Sequence, residues 1–352
     1  MHVLVLGASG FVGSHLVDYL LDRTRHDVVA IDVTREKLEP RHWQNPRFAF
    51  HERDIARGRQ AVRDAIEAAD VVFDLIAYAN PSMYIERPLD VVRLNYDENL
   101  AIVKHCADLD RRLIQFSSCE VYGVTLGSPD PFQEETTPLV MGPICNHRWI
   151  YACAKQLLER VVHAYGLEGR LRYTIVRPFN FIGPKIDYLL DRRAFGGPRV
   201  FSHFLSALMN EWPLPLVDGG RNRRCYTHIA DAVEAIGIIL ENAEGRFDRE
   251  IVNIGNPANE STIAELARLM HSIYQEETGR EVPYQEEIVS SRAFYGEGYQ
   301  DCDRRVPEVT KICAAGWEPR RDLETTLRES IRYYVGQVHA GAGAVAQRRR
   351  DG

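Results

Sequence analysis

The sequence predicts an α/β fold: a doubly wound parallel sheet with a smaller α/β lobe for substrate. Three observations predict it. Residues 2–6 are a short apolar run that ends in a glycine-rich loop, Gly7 to Gly13. Strand-like apolar runs then alternate with helical patterns to about residue 180, the signature of strands joined by crossover helices. At Asn180 the texture changes. Gly183-Pro184, Gly196-Gly197-Pro198, Pro213, Pro215 and Gly219-Gly220 then interrupt the chain often.

Residues 2–6 suit a strand buried on both faces. Phe11, Leu16, Leu20 and Leu21 follow at helical spacing, and a second apolar run, 28–31, ends at Asp32. Further on, 71–76 reads as a strand, 90–109 as a helix, 113–116 as a strand, 148–165 as a helix and 173–176 as a strand. In the second half, 228–241 reads as a helix and 251–254 as a strand, both returning to the first lobe. Residues 262–274 and 323–334 read as amphipathic helices. The expected partition is 1–180 plus about 225–257 for the sheet domain and 181–224 plus about 258–336 for the second lobe. Residues 337–352, small and polar with Arg348-Arg349-Arg350, read as a flexible tail.

Composition narrows the function. The chain has 352 residues, 45% hydrophobic and 26% charged, with a net charge of −7. Nucleic-acid binding usually needs a basic excess, so nucleic acid is not expected as a partner. No run approaches the roughly 20 apolar residues of a membrane span, and no membrane partner is expected. The N-terminus lacks the basic and cleavage segments of a secretion signal. Seven scattered cysteines, an odd number without metal-type spacing, read as reduced thiols in a cytoplasm and predict no metal site.

Gly7-Ala8-Ser9-Gly10-Phe11-Val12-Gly13 has the G-x-x-G-x-x-G spacing between a strand and a helix. Such glycines permit a tight turn, a close approach to a pyrophosphate and tight helix–strand packing. The helix N-terminus then offers free N–H groups to phosphate. Asp32 ends the next strand, where a carboxylate accepts from ribose hydroxyls and repels a 2′-phosphate. The loop residues Gly7, Gly10, Phe11, Val12 and Gly13, with Asp32, therefore predict NAD. Arg35 is the one nearby feature that would suit NADP. Asp54-Ile55 after the third strand is placed to meet the adenine, or is an ordinary strand end.

Tyr151-Ala152-Cys153-Ala154-Lys155 puts a phenol and an ammonium on one helix face. Alone, such a pair is commonly a solvated face. As an acid–base pair, the ammonium is expected to lower the tyrosine pKa. Ser118 follows the 113–116 strand, at the carboxyl end where parallel sheets hold their sites.

These motifs, in this order, identify the chain as resembling the extended short-chain dehydrogenase/reductase superfamily to about residue 336. The Asn95 helix, Arg177-Pro178-Phe179-Asn180 and Val252-Asn253-Ile254-Gly255-Asn256 match its habits. Ser118-Cys119-Glu120-Val121-Tyr122-Gly123, Arg148-Trp149-Ile150-Tyr151 and Tyr295-Gly296-Glu297-Gly298-Tyr299-Gln300-Asp301 are similar to two relatives. One is the UDP-glucuronate decarboxylase of the aminoarabinose lipid A pathway, the other plant UDP-apiose/xylose synthase. The resemblance implies oxidation of UDP-glucuronate at C4, then loss of its carboxylate, giving UDP-xylose or a 4-keto pentose. It implies catalytic roles for Ser118, Cys119, Glu120, Tyr151, Lys155 and Arg305, and a cofactor contact at Asn95. It places Tyr84, Arg148 and Tyr299 near the glucuronosyl group, and Asn180, Arg199 and Arg224 near UDP. It also implies a homodimer paired through a four-helix bundle of the 90–109 and 148–165 helices.

Two positions divide the relatives. Cys119 resembles the apiose synthases, which would add ring contraction. Ala79, where those enzymes carry a second cysteine, resembles the decarboxylases. Pro215 stands where both carry lysine. A nucleotide-sugar 4-epimerase or 4,6-dehydratase is a further reading, and an NAD-binding regulator is the non-enzyme one.

Overall fold

In the computed structural model the backbone is described for residues 1–128, 130–193 and 199–348, and side chains to residue 337. The Gly196-Gly197-Pro198 break and Arg349-Arg350 lie outside the described residues.

Seven strands form one parallel sheet: β1 (His2–Leu6), β2 (Asp27–Asp32), β3 (Phe48–Glu52), β4 (Val71–Asp74), β5 (Arg112–Phe116), β6 (Tyr173–Pro178) and β7 (Glu250–Ile254). Their order is β7-β6-β5-β4-β1-β2-β3, and every neighbouring pair is parallel. The order reverses beside β1, which opens a crevice at the carboxyl ends.

The strands alternate their side chains between two cores. Val3, Val5, Val28, Ala30, Phe73, Ile114 and Val176 pack on one face. The helices there are α1 (Phe11–Arg23), α5 (Val200–Met209), α6 (Ile229–Glu241), α7 (Ile263–Thr278) and α8 (Leu323–Arg348). Leu4, Leu6, Ile31, Val72, Leu113 and Ile175 pack on the other, against α2 (Arg59–Ala68), α3 (Asn99–Asp108) and α4 (Ile150–Leu167).

Two expectations need correction. The 90–109 helix is broken: a short helix, Pro88–Val92, passes into a π-helical stretch, Arg93–Glu98, before α3. The Asn99 amide donates to the Leu94 carbonyl at 2.6 Å and to the Ile76 carbonyl at 3.3 Å, so the ladder is locally widened. At the C-terminus α8 continues to Arg348, where a tail was expected from 337.

Short sheets made from Leu214–Val217, Arg223–Cys225, Glu286–Val289 and Arg304–Arg305 build the far wall of the crevice. Among the described residues no helix is long and apolar enough to cross a membrane.

One buried pair ties α4 to β6. Arg177 donates to Glu159 at 2.6 and 3.0 Å, and its guanidinium lies 4.7 Å from the Tyr122 ring centre. Truncating one partner of such a pair leaves an uncompensated charge. Arg177→Ala is therefore expected to destabilise the protein by about 3–5 kcal/mol, read from urea unfolding midpoints. An unchanged midpoint would show that the pair holds nothing together.

Candidate active site

One cavity of about 1040 Å³ runs along the carboxyl ends of the strands. Gly7, Gly10, Phe11, Val12 and Gly13 line one end, Ser118, Glu120 and Tyr151 the middle, and Arg221, Arg224 and Tyr226 the other.

At the first end Gly7 turns with φ 80°, and a Cβ on Gly13 would lie 2.2 Å from the Gly7 carbonyl oxygen. Only glycine fits there. α1 starts behind Gly10 without a side-chain cap, so its first N–H groups stay free for an anion. These features fit the diphosphate of NAD. Asp32 accepts N–H bonds from Ser9 at 2.8 Å and Val33 at 2.7 Å. Burial raises its pKa, and the backbone donors oppose the rise. Asp54 caps its own turn through the Ala56 N–H at 2.9 Å, and Ile55 packs into the second core. Asn95 is buried and clamps Tyr78, accepting from its N–H at 2.9 Å and donating to its carbonyl at 3.2 Å. It shapes the loop after β4, whose Ala77, Tyr78 and Ala79 line the cavity.

In the middle, Ser118 and Tyr151 share a hydrogen bond, and Ser118 Oγ accepts the Glu120 N–H at 3.1 Å. The Tyr84 ring stacks on Tyr151, with centroids 4.7 Å apart and planes 5° apart. Lys155 Nζ donates to the Phe116 carbonyl at 2.9 Å. The tyrosine departs from expectation. Burial pushes the Tyr151 phenol above its ordinary pKa, and the bond from Ser118 offsets this only in part. Desolvation of the phenolate dominates, and the nearby Glu120 charge adds to it.

Beyond Tyr151 lies a buried charge cluster. Glu120 pairs with Arg148, and with Arg305 at 2.6 Å. Arg305 also meets Asp301 at 3.0 Å, and Arg224 meets Asp301 at 2.7 Å. The Tyr299 hydroxyl donates to Asp301 at 3.1 Å. Burial by itself would raise both acids, but the arginines hold Glu120 and Asp301 below their ordinary values. Three arginines against two carboxylates leave one positive charge. Arg148 Nε and Nη1 and Arg305 Nε are buried without acceptors among the described residues. Arg148 also faces the rings of Tyr84 and Tyr299 at 5.2 and 5.6 Å. Spare donors on two buried guanidiniums suit a further carboxylate.

Asn180, with φ 41°, donates to the Cys225 carbonyl at 3.1 Å. Asn180, Arg224 and Pro215 share the cavity wall. Arg199 lines the same cavity. It lies 5.5 Å over the Phe11 ring of the glycine loop and is held by Asp187 at 3.0 Å. Cys119 lines the cavity beside Phe132 and Phe179, and burial pushes its thiol up to about 11.

Sequence reasoning gave Asp301 no role, nor Tyr295, which stacks on Tyr299 at 4.0 Å. Asp301 lies in a loop and Arg305 in a short strand, where the four-residue spacing carries no pairing signal. Asp187, the partner of Arg199, carried none.

The family model described as NAD dependent epimerase/dehydratase family matches residues 3–255. The chain is 40% identical to the UDP-D-apiose/UDP-D-xylose synthase of Oryza sativa subsp. japonica, over 94% of this chain and 88% of that protein. It is 41% identical to UDP-D-apiose/UDP-D-xylose synthase 2 of Arabidopsis thaliana, over 95% and 91%. Among solved structures, the PbgP3 protein of Burkholderia pseudomallei superposes with a TM-score of 0.84 at 32% identity, covering 96% of this chain and 97% of that one.

The raised phenol gives a prediction. Ultraviolet titration of the ligand-free protein, compared with Tyr151→Phe, is expected to show no phenolate assigned to Tyr151 below pH 10. A tyrosine that ionises near neutrality and vanishes in the variant would contradict it.

Proposed function

The chain belongs to the NAD dependent epimerase/dehydratase family, and on that premise we propose that it is an NAD-dependent enzyme that oxidises and decarboxylates UDP-glucuronate. The observation that carries the reading is the Arg148–Glu120–Arg305 cluster. It presents unused buried donors beside the Ser118–Tyr151 pair.

Bound NAD supplies the hydride acceptor. Tyr151 takes the proton of the sugar C4 hydroxyl as the C4 hydrogen leaves with its electron pair, and C4 becomes a ketone. Ser118 and the protonated Tyr151 donate hydrogen bonds to the C4 oxygen. The C5–C6 bond then breaks, CO2 leaves and its electron pair moves onto that oxygen as an enolate, which these two donors stabilise. Arg148 and Arg305 hold the carboxylate in register before it leaves. Glu120, between them, fixes their geometry and stands by the carbon that is next protonated. Return of the hydride to C4 gives UDP-xylose, and early release gives the 4-keto pentose.

Ring contraction to UDP-apiose is the second reading. Identity to apiose/xylose synthases and Cys119 in the cavity wall favour it, whereas Ala79 offers no second thiol. The NAD-binding part is the sheet domain, and the 181–224 and 258–336 segments hold the nucleotide sugar. The enzyme works in the cytoplasm as a homodimer through a four-helix bundle. The half-exposed Leu157 on α4 suits that pairing.

Incubation with UDP-glucuronate and NAD is expected to release CO2, with UDP-xylose or the 4-keto pentose identified by NMR. Arg305→Ala is expected to lower kcat by about a hundredfold or more, as for loss of a preorganised donor. Cys119→Ser is expected to remove any UDP-apiose while CO2 release persists. Intact UDP-glucuronate, or only its C4 epimer, would overturn the decarboxylase reading.

A further inference from the structure

Asp74 closes β4 with no exposed surface, next to the site but outside the chemistry above. Its partner in register on β5 is Gln115. Gln115 Nε2 donates to Asp74 Oδ2 at 3.0 Å and reaches the Phe116 carbonyl at 3.5 Å. That carbonyl accepts Lys155 Nζ at 2.9 Å. The other Asp74 oxygen accepts the Ile76 N–H at 3.1 Å. A continuous chain thus runs from Asp74 through one amide and one carbonyl to the lysine behind Tyr151.

We propose that Asp74 is a positioning residue for Lys155, supplying the negative charge and the hydrogen-bond chain that keep this buried lysine an ammonium and aimed at the Phe116 carbonyl. The proposal rests on the acid–base reading of Tyr151 and Lys155. A lysine this deeply buried loses its proton readily unless a counter-charge is near. Burial indeed pulls Lys155 down, and Asp74 and then Glu159 oppose it. Glu159 is already bound to Arg177, so Asp74 is the carboxylate left for Lys155. From the side of the acid, burial lifts Asp74 to about 6, with Lys155, the Ile76 N–H and Gln115 pulling it back. The groups facing it are Lys155 from α4, Gln115 from β5, the Cys106 thiol from α3 and Leu6 from β1. Lys155 is the charged one among them.

The sign follows. Above pH 6 Asp74 is ionised and holds the ammonium. Below it Asp74 takes up a proton and the counter-charge is lost. Asp74→Asn removes the charge and keeps the shape. Gln115 Oε1 has no partner among the described residues, and a flip of the Gln115 amide turns it towards the new amide while releasing the Phe116 carbonyl.

The test compares wild type, Asp74→Asn and Lys155→Met in pH profiles of CO2 release from UDP-glucuronate. The expected result is an acid limb near pH 6 that disappears in Asp74→Asn. The alkaline limb should also fall by about one pH unit, a tenfold lower rate on that limb. Superimposable profiles for wild type and Asp74→Asn, with Lys155→Met inactive, would overturn the role of Asp74 alone. A Lys155→Met variant as active as wild type would overturn the acid–base reading and this proposal with it. Should Asp74→Asn not fold, 13C NMR of the lysine ε-carbon in the ligand-free wild type decides. A Lys155 resonance that steps near pH 6 supports the coupling, and a flat one overturns it.

Discussion

One partly buried carboxylate, Glu120, organises the far part of the cavity. The Arg148 and Arg305 guanidiniums beside it are buried, and a buried charge persists only if it is paired and hydrogen-bonded. Glu120 meets that demand for both. Arg305 brings Asp301 with it, and Asp301 brings Arg224 from the strand alongside, where Arg305 and Arg224 are register partners. The acid after β5 thus ties α4's leading turn to the paired Arg223–Cys225 and Arg304–Arg305 strands and aligns the donors along the cavity. The excess of one positive charge suits the site to an anion.

The sheet does the same service for the acid–base pair. Ser118 follows β5, and α4 packs along the same face, so Tyr151 and Lys155 meet the serine at the carboxyl ends of the strands. Backbone groups complete the arrangement, with the Phe116 carbonyl holding Lys155. Burial holds the tyrosine protonated, and the hydrogen bond with Ser118 offsets it only in part.

Much of this was legible in the sequence, for physical reasons. Strand–helix alternation is set by local periodicity, so the seven-stranded sheet follows from it. The glycine spacing encodes steric demands that no side chain can meet, and Gly13 against the Gly7 carbonyl bears that out. The break in the helix before α3 was not legible, because it arises from the Asn99 side chain reaching the Leu94 carbonyl. Nor was the position of Arg199, which depends on Asp187 twelve residues earlier and on the ring of Phe11. Asp74 reads as one more residue of an apolar strand until β5 sets Gln115 beside it. Pairings between distant segments are what local pattern cannot carry.

The central claim is that the Arg148 and Arg305 guanidiniums recognise a sugar carboxylate. Calorimetric binding of UDP-glucuronate and UDP-glucose to the NADH-loaded protein, which has no hydride acceptor and cannot oxidise the sugar, tests it most directly. The account predicts that UDP-glucuronate binds at least tenfold more tightly, about 1.4 kcal/mol, and that Arg148→Met erases most of the difference. Equal affinity for the two nucleotide sugars in the wild-type protein would contradict it.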